Sequence, residues 1–311
     1  FISNLYNSPG RHTGIEVICR TYSWSTEPWN DFIPYEFFVI WHKDQCDIEG
    51  VGDTLYGVYI GILNNFDISF SDPIYPEMDD LSFFDGYVAG EWDTLGYPYD
   101  SITILPDTFL NIPDGIYDQY ILYGDNPWEN TLHGDTFILP RNLGYMWDDD
   151  DPFTPGNDKG ENGASLGYPG TALLYAPPSP AATTWICPYC GDTCRIARVW
   201  AYQWLVVLPS YFPTDSELYR YLEGSLYGRF MYKYPLPGGD YWCLISSGPF
   251  KIADNETLKF VFVSAVGQEL NGGDDDYWGR NWIRGLRQTI DYAMAAYYTG
   301  SEISDPVHPS G

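Results

Sequence analysis

Leu258–Val266 reads LKFVFVSAV, a run of β-branched and aromatic residues bounded by Asn, Asp and Gly, and that composition is the signature of a β-strand. The same reading extends outward. Glu36–His42 (EFFVIWH) and Thr54–Leu63 (TLYGVYIGIL) have this character and are set off by Gly, Pro, Asn and Asp. Arg195–Leu208 (RIARVWAYQWLVVL) is too aromatic and too β-branched for a helix, so it is expected to form one strand or two. The 31 Gly and 24 Pro punctuate the remainder as turns and long loops. The predicted fold class is mainly β: an antiparallel β-sandwich with long loops.

Two helices are predicted. In Thr214-Asp-Ser-Glu217 the Thr hydroxyl can accept a backbone N–H while Glu217 reaches back. Leu218, Tyr221 and Leu222 then share a face and Gly224 ends the element, which gives a short helix near 214–224. Ile283, Leu286, Ile290, Met294 and Tyr297 recur at helical spacing, so a C-terminal amphipathic helix is expected over Asn281–Tyr298, closed by Gly300. No internal repeat is visible. Residues 1–311 read as a single large sandwich domain, with the proline-rich 176–182 stretch (APPSPAA) as its one candidate seam and 301–311 as an extended tail.

The charge narrows the range of partners. Only 15 Lys and Arg stand against 43 Asp and Glu, a net charge of −28, which repels phosphate backbones and anionic lipid heads. Nucleic acid is not an expected partner, and no apolar run is long enough for a membrane-spanning helix. With 28 Tyr and 12 Trp the chain is not a disordered acidic protein. A start at Phe1 rather than Met leads to the expectation of a removed targeting segment or a fragment.

Cys19, Cys46, Cys187, Cys190, Cys194 and Cys243 form an even set, as expected of disulfides in an oxidising, extracellular compartment, and at least one bridge is expected. Cys187-Pro-Tyr-Cys190 also has the form of a zinc knuckle, with Cys194 and Cys243 or a His completing a Zn²⁺ site, or of a redox pair. The redox reading lacks the strand and helix order it needs. Disulfides are the plainer reading.

Thr54–Gly61 followed by Asp67 and Asp79-Asp80-Leu81, and Ser247-Gly-Pro-Phe250 followed by Thr257–Gly267 and the terminal helix, resemble β-rich modules of uncharacterised secreted and surface proteins of environmental bacteria. The pattern's Pro-Gly-Asp turn is replaced here by Ala253-Asp-Asn-Glu256. The resemblance implies an extracellular β-rich module of a large surface protein and implies no catalyst.

Two acidic clusters are candidate Ca²⁺ sites, because this hard cation takes oxygen ligands from loop carboxylates, amides and carbonyls. The first comprises Asp67, Asp72, Asp79, Asp80 and Asp85; the second comprises Asp148, Asp149, Asp150, Asp151, Asn157, Asp158 and Glu161. Neither has EF-hand spacing. Asp274–Asp276 precede the terminal helix, where they favour the positive end of its dipole. For catalysis only Glu91 and Asp93 form a compact carboxylate pair, the kind that glycoside hydrolases use, and the plainer reading is a solvated turn. Hydrolase and nucleotide-binding motifs are absent, and His12, His42, His133 and His308 are few.

The expectation is therefore an extracellular structural protein, a subunit of a surface fibre, appendage or layer. Homo-oligomers or polymers would form through aromatic surfaces and the extended ends Phe1–Arg11 and Ser301–Gly311. The alternative is a secreted carbohydrate-binding module or glycoside hydrolase whose Trp and Tyr stack on polysaccharide.

Overall fold

The computed structural model describes residues 12–25, 29–66, 80–85, 119–121, 138–148, 167–177, 182–186, 193–197, 199–206, 213–229, 231, 240–267 and 285–298. The strands in chain order are β1 (Thr13–Thr21), β2 (Phe32–Cys46), β3 (Thr54–Asn64), β4 (Asp80–Asp85), β5 (Gln119–Ile121), β6 (Ile138–Pro140) and β7 (Leu143–Asp148). They continue as β8 (Tyr168–Tyr175), β9 (Ala182–Ile186), β10 (Thr193–Ala197), β11 (Ala201–Val206), β12 (Tyr241–Ala253) and β13 (Thr257–Gly267). Helix α1 is Asp215–Glu223 and α2 is Leu286–Tyr298.

All the strand pairs are antiparallel. One sheet has six strands in the order β1-β2-β13-β8-β7-β4, a second has three in the order β11-β12-β3, and β9-β10 and β5-β6 form separate pairs. The fold is the mainly β, sandwich-like arrangement that the strand composition implies.

Alternation along β13 sets the layers. Phe260 and Phe262 enter one core, with Trp41, Met146, Leu173, Tyr202, Cys243 and Ile245 from both sheets. Val261, Val263 and Ala265 point the other way, onto Leu286, Ile290, Ala293 and Met294 of α2. The outer face of the three-stranded sheet carries Leu205 and Leu244 against Tyr221 of α1. Helix, six strands, three strands and helix therefore stack in four layers.

Local chemistry explains both helix boundaries. The Thr214 hydroxyl accepts from the Glu217 N–H at 3.3 Å, Glu217 accepts from the Thr214 N–H at 2.8 Å, and Gly224 ends α1 in the left-handed region at φ 77°. At the other end of the chain, α2 begins at Leu286 rather than at Asn281, where the periodicity placed it; Asn281 and Ile283 lie outside the described residues. Gly285 precedes α2, and the helix start abuts Gly267 so closely that a Cβ there would meet the Leu286 nitrogen at 2.0 Å. The Arg195–Leu208 run is indeed two strands, β10 and β11, which belong to different sheets.

Close approach of the two main sheets depends on Gly144, where an added Cβ would meet the Cys243 sulfur at 2.6 Å and a methyl of Ile245 at 2.9 Å. Gly144→Ala is expected to cost about 2 kcal/mol in denaturant unfolding, as overpacking does. Adding Cys243→Ala opens space and recovers part of that loss. An unchanged unfolding midpoint in the single variant would refute this account of the sheet contact.

Candidate functional site

The two sheets are joined at one corner, where the chain crosses between them twice. Residues 47–53 lead from β2 to β3, and the turn Ala253–Glu256 leads from β12 to β13. Asn255 takes a positive φ of 61°, which an Asn tolerates, and its N–H donates to the Trp41 carbonyl at 2.7 Å. Glu256 closes the turn by accepting from the Ala253 N–H at 2.7 Å. Asp254 accepts from the Lys43 N–H at 2.8 Å, and the Lys43 ammonium pairs with Asp53. The turn that departs from the expected Pro-Gly-Asp is thus held against β2 by its own polar side chains.

Strand β1 lies beside this corner at the edge of the six-stranded sheet, and among the described residues it pairs only with β2. Gly14, at φ 70°, forms the bulge where the register shifts, with its α-carbon so close to β2 that a Cβ would meet the His42 carbonyl oxygen at 2.2 Å. From Ile15 to Thr21 the register is regular, and every residue beyond Ile15 is exposed. The Tyr22 N–H donates to the Pro34 carbonyl at 3.3 Å, directly across the ladder. By alternation the even residues of β1 turn their amides to β2, so Ile15, Val17, Cys19 and Thr21 turn theirs outward. Val17 is 46 % and Ile18 40 % exposed.

Charged groups flank this edge. His42 Nε2 meets the Glu16 carboxylate at 2.9 Å, and Nδ1 meets the Asn255 side-chain oxygen at 2.9 Å. Both ring nitrogens face acceptors, so the Glu16 hydrogen bond first and the Asn255 bond second raise the His42 pKa above its usual value. The Arg20 guanidinium sits over the Phe38 ring, 4.9 Å from its centroid. Nearby, Glu36 is buried but pairs with Lys259 and accepts from the Tyr22 hydroxyl at 2.8 Å.

One member of each acidic cluster lies in the β4–β7 ladder, which sets Asp80 opposite Asp148, while Asp85 pairs with Leu143 at the far end. Asp80 is buried. Asp67, Asp72, Asp79, Asp149, Asp150, Asp151, Asn157, Asp158 and Glu161 lie outside the described residues, as do Glu91, Asp93 and Asp274–Asp276. Among the described residues no group of three or more His, Cys, Asp and Glu converges as a metal site. No helix among them is long and apolar enough to cross a membrane.

The thiols of Cys19, Cys46 and Cys243 are free. Cys19 pairs in the ladder with Phe37 while Cys46 pairs with Thr13, so the two cysteines sit at opposite ends of β1 and β2. That is roughly 20 Å of strand at ~3.3 Å per residue, far beyond disulfide reach. Cys243 faces the core between the sheets, where burial pushes its thiol up to about 12 although a hydrogen bond from Ser82 works the other way. There the sulfur lies against the opposite sheet at Gly144. Cys187 and Cys190 lie outside the described residues, and Cys194 is placed only as backbone in β10.

A third feature is the aromatic group along the C-terminal half of α1. Tyr59 meets Tyr219 edge-on at 5.6 Å and Trp200 at 6.1 Å, and Arg229 lies 3.6 Å from the Trp200 ring centroid. The Trp200 indole N–H donates to the Glu223 carbonyl at 3.0 Å. These contacts bind α1 to β3 and β11.

No protein-family model and no curated protein matches this chain.

Sequence reasoning missed Glu16, His42 and Asn255. The available signal was the alternation of Ile15, Val17 and Cys19 with Glu16, Ile18 and Arg20, a strand pattern with charges on one face. Since the folded state holds the His42 proton more tightly than the unfolded chain, its stabilising contribution is complete below the unfolded pKa and is lost as pH rises through the folded value. An NMR titration is expected to place the His42 midpoint above ~6.5, and Glu16→Gln to lower it. A midpoint insensitive to that substitution would remove the pair.

Proposed function

We propose that this protein is an extracellular structural component, a subunit of a surface fibre, appendage or layer that associates with copies of itself. The observation that carries the reading is β1, a regular, proline-free edge strand exposed along most of its length, with apolar Val17 and Ile18 on its two faces. Soluble proteins blunt such edges with like charges, proline or cover. Here the only charged residues on the strand are Glu16 and Arg20, which are opposite in sign.

The aromatic group at α1 supports a structural role over sugar binding. Stacking on a sugar needs an open ring face, whereas Trp200 has Arg229 against its ring and Tyr219 meets Tyr59 edge-on. The net charge of −28 opposes close approach of two copies, so screening by salt should favour assembly. Sedimentation velocity across a wide concentration range, with negative-stain microscopy, is expected to reveal oligomers or ordered polymers that increase with salt. A monodisperse monomer under all these conditions would sink the reading.

Calcium is part of the same proposal, as a ligand of the two acidic clusters, whose members Asp80 and Asp148 stand opposite each other in the β4–β7 ladder. A cation held only by the folded state raises its stability, by about 2.7 kcal/mol at ~100 times the dissociation constant. Thermal melting with calcium and with chelator is expected to give a higher midpoint in calcium. Identical midpoints would discard the metal.

A further inference from the structure

We propose that β1 pairs with β1 of a second copy, antiparallel, about a two-fold axis through Ile18. This rests on the self-association reading and assigns its register. The outward amides belong to Ile15, Val17, Cys19 and Thr21, so residues of that set must stand opposite one another, and a symmetric axis must pass through a residue rather than between two.

Charge then selects the residue. An axis through Glu16 or through Arg20 sets like charges face to face, and an axis through Val17 or Cys19 sets a charge opposite Ile18. Only an axis through Ile18 sets Glu16 of each copy opposite Arg20 of the other, twice, on one face of the joined sheet. The backbone agrees independently, because the regular stretch beyond the Gly14 bulge runs from Ile15 to Thr21, whose midpoint is Ile18. Val17 then covers Cys19 of the second copy on the opposite face, and both are exposed in the single chain. Ile18 meets its own copy at a position without direct backbone hydrogen bonds, where side chains approach most closely. The occupant of this edge is therefore a second copy of the same chain, and the two six-stranded sheets become one.

The full chain carrying Cys19→Ser supplies the test, with a reporter thiol added by I18C or, as control, by V17C. On mild oxidation I18C/C19S is expected to form a covalent dimer at least about tenfold faster than V17C/C19S, because only the first pair lies within disulfide reach. Charge reversal tests the same register without thiols. E16R or R20E alone should weaken the dimer about tenfold, and E16R/R20E together should restore it. If oligomers persist while I18C/C19S couples no faster than V17C/C19S, or the reversals have no effect and no rescue, the register is wrong and self-association stands. If the wild-type chain remains monomeric at every concentration, both fall.

Discussion

The constraint on which this structure depends is that β13 is buried on both faces. Phe260 and Phe262 need one apolar layer, and Val261, Val263 and Ala265 need another. A lone sheet supplies neither, so a second sheet must cover one face and a helix the other. The three-stranded sheet and α2 fill these places, and α1 covers the outer face of the three-stranded sheet in turn. Where backbones approach closely the sequence has glycine. Gly61, for example, lies where a Cβ would meet a Leu222 methyl at 2.4 Å.

Burial presses the sheets together but does not align them, since apolar contact is non-directional. Alignment comes from directional bonds. At the corner Asn255, Asp254 and Glu256 tie the β12–β13 turn to β2, and Trp41, fully buried beneath that turn, donates its indole N–H to the Thr13 carbonyl at 3.2 Å. Asn142 plays a similar part within the core, donating to the Ala197 carbonyl at 2.7 Å and so tying the β6–β7 connection to β10. The same polar corner brings Glu16 and His42 together beside the exposed strand, so the fold's alignment and the geometry of its edge share residues.

The candidate features were unequally legible. Asp80 and Asp148 stand out in the sequence as members of acidic runs, but their pairing depends on β4 and β7 being neighbours, and nothing local to either run encodes that. The even number of cysteines suggested bridges. Register separates Cys19 from Cys46, however, and alternation turns Cys243 into the core, two consequences of strand pairing that a count of thiols does not contain. His42 reads as an ordinary residue of an apolar run until a turn 213 residues away delivers Asn255 to it.

By itself the sequence determined what depends on neighbours along the chain. Aromatic and β-branched runs became strands, Thr214 and Glu217 capped α1, and Gly224 ended it, because strand composition and capping are local properties. Only the tertiary structure decided which strands are neighbours, that β10 and β11 part company between sheets, that α2 starts against Gly267, and that β1 is left at the edge. Those outcomes are set by the competition among distant segments for the same apolar surface and the same backbone partners, a competition resolved only when the whole chain packs.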